Sequence, residues 1–180
     1  MVGKQLTLVL GGARAGKSTY AQRLATGGDR VLFVATAEAR DAEMSARIVA
    51  HQANRPADWG TLEEPLDLVS AMAPVVSGYD TVLLDCVTLW VSNLMLDDPD
   101  VDLPAQAEWL LELYREQEAS WIVVSNEVGL GVVPATKLGR VYADELGRVN
   151  QIVAAEADEV WFMAAGLPLN LKALSRDSST

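Results

Sequence analysis

The sequence is poor in several residue types that mark other classes of protein. Its 180 residues include one cysteine, one histidine and only 14 lysines and arginines against 25 acidic residues, which gives a net charge of −11. The lone Cys86 cannot form an internal disulfide, so a reducing, cytoplasmic setting is expected. Without a basic stripe, nucleic acid is not expected as the main partner. No apolar run approaches the roughly 20 residues that a membrane-spanning helix needs, so no integral membrane segment is expected.

What is present is an alternation of apolar runs of strand length with segments of helical periodicity. The predicted strands, rich in Val, Leu, Ile and Trp, cover residues 6–10, 31–35, 81–85, 121–125 and 159–164. The predicted helices cover residues 17–26, 41–52, 66–76, 88–96, 104–118 and 139–157. This alternation predicts a three-layer α/β/α fold with a mainly parallel sheet. One domain is expected over residues 1–174, with residues 175–180 as a flexible polar tail.

The strongest motif is the stretch GGARAGKS, which matches the phosphate-binding pattern G-x-x-x-x-G-K-[ST] between a predicted strand and a predicted helix. In this P-loop pattern, backbone N–H groups cradle phosphates, the lysine reaches the β- and γ-phosphates, and the hydroxyl ligates Mg²⁺. A glycine-rich turn without a ligand is the alternative. We predict a P-loop NTPase fold with nucleotide binding by Gly11, Gly12, Ala13, Arg14, Ala15, Gly16, Lys17 and Ser18.

A P-loop needs a second acidic partner at the end of a nearby strand. Asp85 ends the predicted strand 81–85. Together with Ser18, it would hold Mg²⁺ directly or through water. An aspartate that only caps the following helix is the alternative interpretation.

The only histidine, His51, lies in the stretch RIVAHQANRP. A lone histidine is usually a surface or packing residue, and this remains the alternative here. However, it follows the second predicted strand, whose end should open at the carboxyl edge of the sheet, where ligands of open α/β folds bind. A neutral imidazole can attack phosphorus, so a covalent nucleotidyl intermediate is chemically available.

Five blocks of sequence, taken in order, resemble one family over residues 8–172. They read GGARAGKS, ATAEARDAEMSARIVAHQANRPADWGTLEEP, LLDCVTLWVSNL, SNEVGLGVVP and GRVNQIVAAEADEVWFMAAGLPLNLK. The family is the bifunctional adenosylcobinamide kinase / adenosylcobinamide-phosphate guanylyltransferase of cobalamin biosynthesis. Five ordered blocks make a chance similarity improbable, whereas a P-loop alone would not identify a substrate.

The resemblance assigns residues by position. In the family, the histidine of the R-I-x-x-H-x-x-x-R-P segment accepts GMP, and His51 stands at that place. Two departures are Ala15, where family loops commonly carry serine, and Ala50, where some members carry a second histidine. The first should matter little because the loop binds phosphate through its backbone; the second removes a helper base. Nucleotide contacts are also expected from Ala35, Thr36, Ala37, Gln52, Ala53, Asn54, Arg55 and Glu63.

The block SNEVGLGVVP follows a predicted strand and ends in Pro134, so it is expected to be a loop at the same sheet edge. For Asn126 and Glu127 the resemblance gives no role, and substrate contact and loop scaffolding both stay open.

The resemblance implies an enzyme with catalytic His51 and Lys17. ATP or GTP would phosphorylate adenosylcobinamide, and GMP from GTP would then pass through His51 to adenosylcobinamide phosphate. It also implies Mg²⁺, a corrinoid substrate and a homo-oligomer, with a trimer as the expected form. Because the two steps attack different phosphorus atoms, residues 41–58 are expected to move. The alternatives are a P-loop kinase with a structural His51, and a nucleotide-dependent regulatory protein.

Overall fold

A computed structural model of the chain describes residues 3–39, 42–53 and 55–177. Within these ranges, the description excludes the side chains of Glu43, Met44, Arg47, Ala50, His51, Ala53, Arg176 and Asp177. The strands are β1 (Leu6–Gly11), β2 (Val31–Ala35), β3 (Gly60–Glu63), β4 (Thr81–Asp85), β5 (Ser120–Val124), β6 (Glu159–Ala164) and β7 (Leu167–Asn170). The helices are α1 (Lys17–Ala25), α2 (Ala42–Ala53), α3 (Leu68–Met72), α4 (Val87–Asp97), α5 (Leu103–Glu116), α6 (Lys137–Glu156) and α7 (Leu171–Asp177).

The strands form one sheet in the order β3-β2-β4-β5-β1-β6-β7. Every adjacent pair is parallel except β6 and β7, which are antiparallel. The order places β5 between β1, which leads into the P-loop, and β4, which ends in Asp85. The predicted three-layer α/β/α arrangement with a mainly parallel sheet is confirmed.

Alternate strand residues divide the core between the two faces of the sheet. Leu8, Leu84 and Val123 lie in the larger apolar cluster, with buried side chains of α3, α4, α5 and α6. Their neighbours Val9, Leu83 and Val124 lie in the smaller cluster, whose buried helical residues, within the described part of the chain, come from α1. We call these the packed face and the α1 face.

Most helices begin where a short polar side chain can accept a backbone N–H. Asp67 accepts from Ser70 N at the start of α3, Asp102 from Ala105 N at α5, and Thr136 from Gly139 N at α6. Such caps satisfy N–H groups that the first turn of a helix leaves without an acceptor.

Three parts of the chain differ from the sequence prediction. Strands β3 and β7 were not predicted, and the predicted helix 66–76 is only α3, followed by a 3₁₀ turn at Val76–Gly78. Pro74 explains the shortening, because proline has no backbone N–H and cannot donate the next hydrogen bond of the helix; Ala73, just before it, still has helical geometry. Residues 175–177, predicted as tail, are the last turn of α7, which Asn170 caps through Ala173 N.

No helix among the described residues is long and apolar enough to cross a membrane.

Candidate active site at the carboxyl edge of the sheet

The loop between β1 and α1 has the backbone that its glycines predict. Gly16, the residue before α1, has a φ of 96°, in the left-handed region that favours glycine. Gly11 has a φ of 149°, and a Cβ at this position would lie 2.6 Å from the carbonyl oxygen of Met163. The loop also contacts the turn between β6 and β7, where Gly166 N donates to the carbonyl oxygen of Ala15 at 3.1 Å. The P-loop is therefore held in place by contacts with β6 and with the turn that follows it.

The start of α1 differs from the capped helices. The residue before α1 is Gly16, which has no side chain that could cap the helix. The amides of the first turn have no acceptor within the helix, and the helix dipole adds partial positive charge there. An uncapped N-terminus at a glycine-rich loop is suited to bind phosphate oxygens.

Lys17 lies at this N-terminus with only 8% of its surface exposed. Its ammonium donates to the carbonyl oxygen of Gly12 at 2.7 Å, across the loop. Burial lowers the pKa of the Lys17 ammonium, and the charge of Asp85 acts in the opposite direction. The loop thus holds a buried cation close to the carboxylate that the sequence analysis paired with it.

Asp85 is the last residue of β4 and follows Leu83 on the α1 face by strand alternation. Ser18, in the first turn of α1, is partly exposed. The structure therefore brings both predicted metal ligands to the carboxyl edge on the side of Lys17. No group of three or more His, Cys, Asp and Glu side chains that could hold a metal occurs among the described residues.

Thr36, predicted to contact the nucleotide, is hydrogen-bonded within the protein. It is fully buried; its hydroxyl donates to Cys86 O at 2.7 Å and accepts from Cys86 N at 2.9 Å. Its N–H donates to Asp85 O, and its carbonyl accepts from Asn93 Nδ2 at 2.9 Å. These bonds tie the end of β2 to the chain that follows Asp85, and the predicted contact of Thr36 with the nucleotide stays a prediction.

Arg55 lies between α2 and β3, and Glu63 is the last residue of β3. The Arg55 guanidinium lies 3.8 Å from the centre of the Phe33 ring, and its buried Nε has no hydrogen-bond partner. Burial lowers the pKa of Arg55, whereas the charges of Glu63 and Asp85 raise it. Gln52 donates to Glu63 Oε1 at 2.7 Å, which fastens the last turn of α2 to the end of β3. Three residues that were predicted to contact the nucleotide therefore lie near the end of β3, and Arg55 is close enough to Asp85 for their charges to interact.

The remaining predicted nucleotide-site residues are only partly described. Ala35 and Ala37 lie at the end of β2, with Ala35 nearly buried and Ala37 partly exposed. His51 is in the last turn of α2, next to Gln52, but its side chain and that of Ala53 lie outside the described set, and so does residue Asn54.

Sequence reasoning missed a polar network on α4. Trp90 Nε1 donates to Leu66 O at 2.8 Å, and Asn93 Nδ2 also donates to Pro65 O at 3.2 Å. Because Asn93 also bonds to Thr36, α4 holds the segment that follows β2 and the segment that follows β3. The sequence signal was an asparagine inside the otherwise apolar stretch VTLWVSNLML, since buried amides need partners.

Comparison with known proteins identifies the family of the chain. A family model described as cobinamide kinase / cobinamide phosphate guanyltransferase matches residues 7–171. This chain belongs to that family. Among the relatives of this family member is the bifunctional adenosylcobalamin biosynthesis protein CobP of Pseudomonas aeruginosa. It is 48% identical over 166 residues, which are 92% of this chain and 96% of the relative.

Two further relatives are the bifunctional adenosylcobalamin biosynthesis proteins CobU of Escherichia coli and Salmonella typhimurium. Each is 38% identical to the family member described here over 180 residues, or 93% of this chain and 99% of the relative. A solved structure, the flagellar accessory protein FlaH of Methanocaldococcus jannaschii, matches with a TM-score of 0.54 at 12% identity. The match covers 93% of this chain and 76% of that one. It supports the P-loop NTPase fold alone.

Proposed function

We propose that this protein phosphorylates adenosylcobinamide with ATP or GTP and then transfers GMP from GTP to adenosylcobinamide phosphate. The product would be adenosylcobinamide-GDP. The observation that carries the proposal is the uncapped start of α1, with buried Lys17 opposite Asp85, in a chain of the cobinamide kinase / cobinamide phosphate guanyltransferase family. This arrangement supports binding of a nucleoside triphosphate. Family membership supports adenosylcobinamide and its phosphate as the acceptors.

In the first reaction, the hydroxyl oxygen of the acceptor would bond to the γ-phosphorus while the bond from γ-phosphorus to the bridging oxygen breaks. The nucleoside diphosphate leaves, and the hydroxyl proton passes to solvent. The loop amides and Lys17 would stabilise the charge that builds on the phosphate oxygens, an effect that is large in a site with little water. Lys17 would exchange its bond to Gly12 O for these oxygens.

A magnesium ion would be held by Ser18 and Asp85. One hydroxyl and one carboxylate are too few ligands to bind Mg²⁺ alone. They suit an ion whose other ligands are phosphate oxygens and water, which is how Mg²⁺ usually binds with nucleotides. When bound, the ion would supply charge neutralisation to the triphosphate.

In the second reaction, an unprotonated nitrogen of His51 would attack the α-phosphorus of GTP, and pyrophosphate would leave. The phosphate of the acceptor would then attack the same phosphorus and break the nitrogen–phosphorus bond. The support for His51 is the family resemblance. In addition, Gln52, the residue after His51, is hydrogen-bonded to Glu63 at the sheet edge that carries Lys17 and Asp85.

The experiment is covalent labelling with GTP carrying a label on either the α- or the γ-phosphate. With Mg²⁺, the α-label should remain on the protein at one GMP per chain and the γ-label should not. The bond should break in acid and survive alkali, as a phosphoramidate does. Added adenosylcobinamide phosphate should remove the label as adenosylcobinamide-GDP, identified by mass.

The variant His51→Ala should take up no GMP yet still phosphorylate adenosylcobinamide, because γ-transfer needs no covalent intermediate. Val49→Ala is the matched control, since Val49 is exposed on the same helix. Labelling that persists in His51→Ala would exclude His51 as the nucleophile. Phosphorylation without any labelling of the unaltered protein would indicate a kinase alone.

We propose a cytoplasmic location and a homo-oligomer, with a trimer as the form that the family resemblance implies. Size-exclusion chromatography with light scattering would measure the assembly directly.

A further inference from the structure

The segment after β5 fixes the main chain of one asparagine on both sides. The N–H of Asn126 donates to Thr88 Oγ1 at 2.7 Å, and its carbonyl accepts from Asn150 Nδ2 at 3.0 Å. Thr88 belongs to α4 and Asn150 to α6, and both side chains are buried. Two helices therefore contribute buried polar groups to hold this single residue.

The register explains why these side chains are needed. Ser125 N donates to Val9 O at 3.0 Å and Glu127 N to Gly11 O at 3.1 Å, so pairing with β1 continues to the first P-loop glycine. In a strand, the main-chain groups of the residue between such a pair face the opposite neighbour. That neighbour, β4, has already ended at Asp85, and Thr88 supplies the missing partner.

The same alternation gives the face on which Asn126 lies. Val123 is in the cluster of the packed face and Val124 in that of the α1 face. Two residues beyond Val124, Asn126 is again on the α1 face. Asp85 is paired in register with Val124. Asn126 is thus on the face of α1 and Asp85, one step further out at the carboxyl edge, between the strands that lead to Lys17 and Asp85.

Asn150, which binds the Asn126 carbonyl, leaves one of its own polar atoms without a partner. Asn150 is only 5% exposed, and its buried Oδ1 has no hydrogen-bond partner. A buried acceptor without a partner is destabilising, and an apolar residue would avoid it. The Asn126 carboxamide makes no hydrogen bond to any other residue in the described ranges, although its main chain is held so carefully. A residue whose main chain is fixed and whose side-chain amide has no partner in the protein is suited to contact a substrate.

We propose that the Asn126 carboxamide contacts the γ-phosphate and the attacking hydroxyl in the phosphorylation step. Nδ2 would donate to a γ-phosphate oxygen, and Oδ1 would accept the hydrogen bond of the acceptor alcohol. As the oxygen–phosphorus bond forms and the nucleoside diphosphate leaves, the proton passes to solvent, so Asn126 orients the alcohol without acting as a base. This inference rests on the proposed function and adds the residue that selects an alcohol as acceptor.

A neutral amide suits this position better than a carboxylate. It can donate to an anionic oxygen and accept from a neutral hydroxyl, whereas a carboxylate would repel the phosphate. The contact is specific to γ-transfer, because attack on the α-phosphorus takes place two phosphates away. Loss of Asn126 should therefore separate the two activities.

The test measures both half-reactions in Asn126→Ala and Asn126→Asp. We expect kcat for phosphorylation of adenosylcobinamide to fall about a hundredfold in Asn126→Ala, by analogy with the loss of one transition-state hydrogen bond, and further in Asn126→Asp. The KM for the nucleotide should stay within about twofold in Asn126→Ala, and GMP labelling with α-labelled GTP should be unchanged. Val132→Ala, in the same loop and highly exposed, is the control.

Thr88 serves as the positioning residue in a second pair of variants. Thr88→Val keeps the shape and removes the acceptor of Asn126 N–H, so it should lower the same kcat by roughly tenfold. Thr88→Ser keeps the hydroxyl and should restore it. Equal loss of phosphorylation and labelling in Asn126→Ala, or an unchanged phosphorylation kcat, would overturn the proposal.

Failure of the proposed function has a different signature. In that case the unaltered protein would not phosphorylate adenosylcobinamide at all. The same variants would then be measured by the slow hydrolysis of the γ-phosphate of GTP, with water in place of the alcohol. A drop in Asn126→Ala but not in Val132→Ala would support the contact, and equal rates would overturn it.

Discussion

The packed face and the α1 face of the sheet are built differently. Buried side chains of four helices cover the packed face, whereas among the described side chains the buried helical ones on the α1 face come from α1. Lys17 and Asp85 are on the α1 face, together with Arg55 over Phe33. The comparison teaches that adjacent residues of one strand can serve separate purposes: Leu84 contributes to stability, and Asp85 is available for chemistry.

The largest effect should come from removing the cation of the α1 face. In Lys17→Ala, both phosphorylation and guanylyl transfer should fall by about a thousandfold, because both need the same grip on the triphosphate. Unfolding should be little affected, since a buried charge is removed with its bond to Gly12. Steady-state rates and thermal melts check this, with the exposed Lys137→Ala as control. A near-normal rate of either reaction would show that the two reactions do not use the same phosphate-binding loop.

A substitution on the packed face should do the opposite. Leu146 is fully buried, so Leu146→Ala should lower the free energy of unfolding by roughly 2–5 kcal/mol. Rates per folded molecule should stay close to normal. Leu138→Ala, in the same helix but exposed, should change stability by less than about 0.5 kcal/mol. Urea denaturation measures both, and a loss of activity without loss of stability in Leu146→Ala would break the comparison.

The two ends of β4 offer a sharper contrast. Asp85→Asn should raise the Mg²⁺ concentration needed for activity and slow turnover by about tenfold to a hundredfold with the fold intact. Asp80, just before the other end of the strand, forms an exposed ion pair with Arg30. Asp80→Asn should leave the magnesium titration unchanged and cost little stability. An unchanged titration in Asp85→Asn would return this residue to a structural role.

The smallest effect concerns Cys86, which packs against the cluster of the α1 face. Burial, with the charge of Asp85, raises the pKa of its thiol from 9.0 to about 12. At pH 9 the native thiolate fraction should then be about one in a thousand, so iodoacetamide should react far more slowly than in urea. Because the protonated form is favoured in the native state, stability should also fall as the pH rises from about 9 towards 12. Equal alkylation rates in native and unfolded protein, followed by mass, would contradict this.

The inner strands were predictable because they are buried on both sides and therefore read as continuous apolar runs. The edge strands were not. The four residues of β3 are alternately half-buried and exposed, and β7 contains Pro168, which only an edge strand tolerates. Neither has the composition that marks a strand in sequence. Both depend on a neighbour, β2 or β6, that is already in place.

For the site, sequence patterns point to residues whose chemistry can be recognised locally, and they do not show hydrogen bonds to partners far along the chain. Lys17 and Asp85 were found because a glycine-rich turn and a strand-end carboxylate can be recognised within a few residues. Thr36 was assigned to nucleotide contact, since nothing in its neighbourhood reveals that Cys86, 50 residues away, takes its hydroxyl. The hydrogen-bond partners of Asn93 and Asn126 could not be predicted from the sequence either, because they lie far away along the chain.

By itself, then, the sequence determined the α/β class, the P-loop, the strand-end aspartate and the family, because glycine backbone freedom and buried apolar runs act over short stretches of chain. The tertiary structure alone decided that β5 lies between β1 and β4. Hydrogen bonds between parallel strands join residues far apart along the chain, and no local pattern specifies which strands become neighbours. That order brings Asn126 beside Gly11 and Asp85, and makes a site from three separate segments.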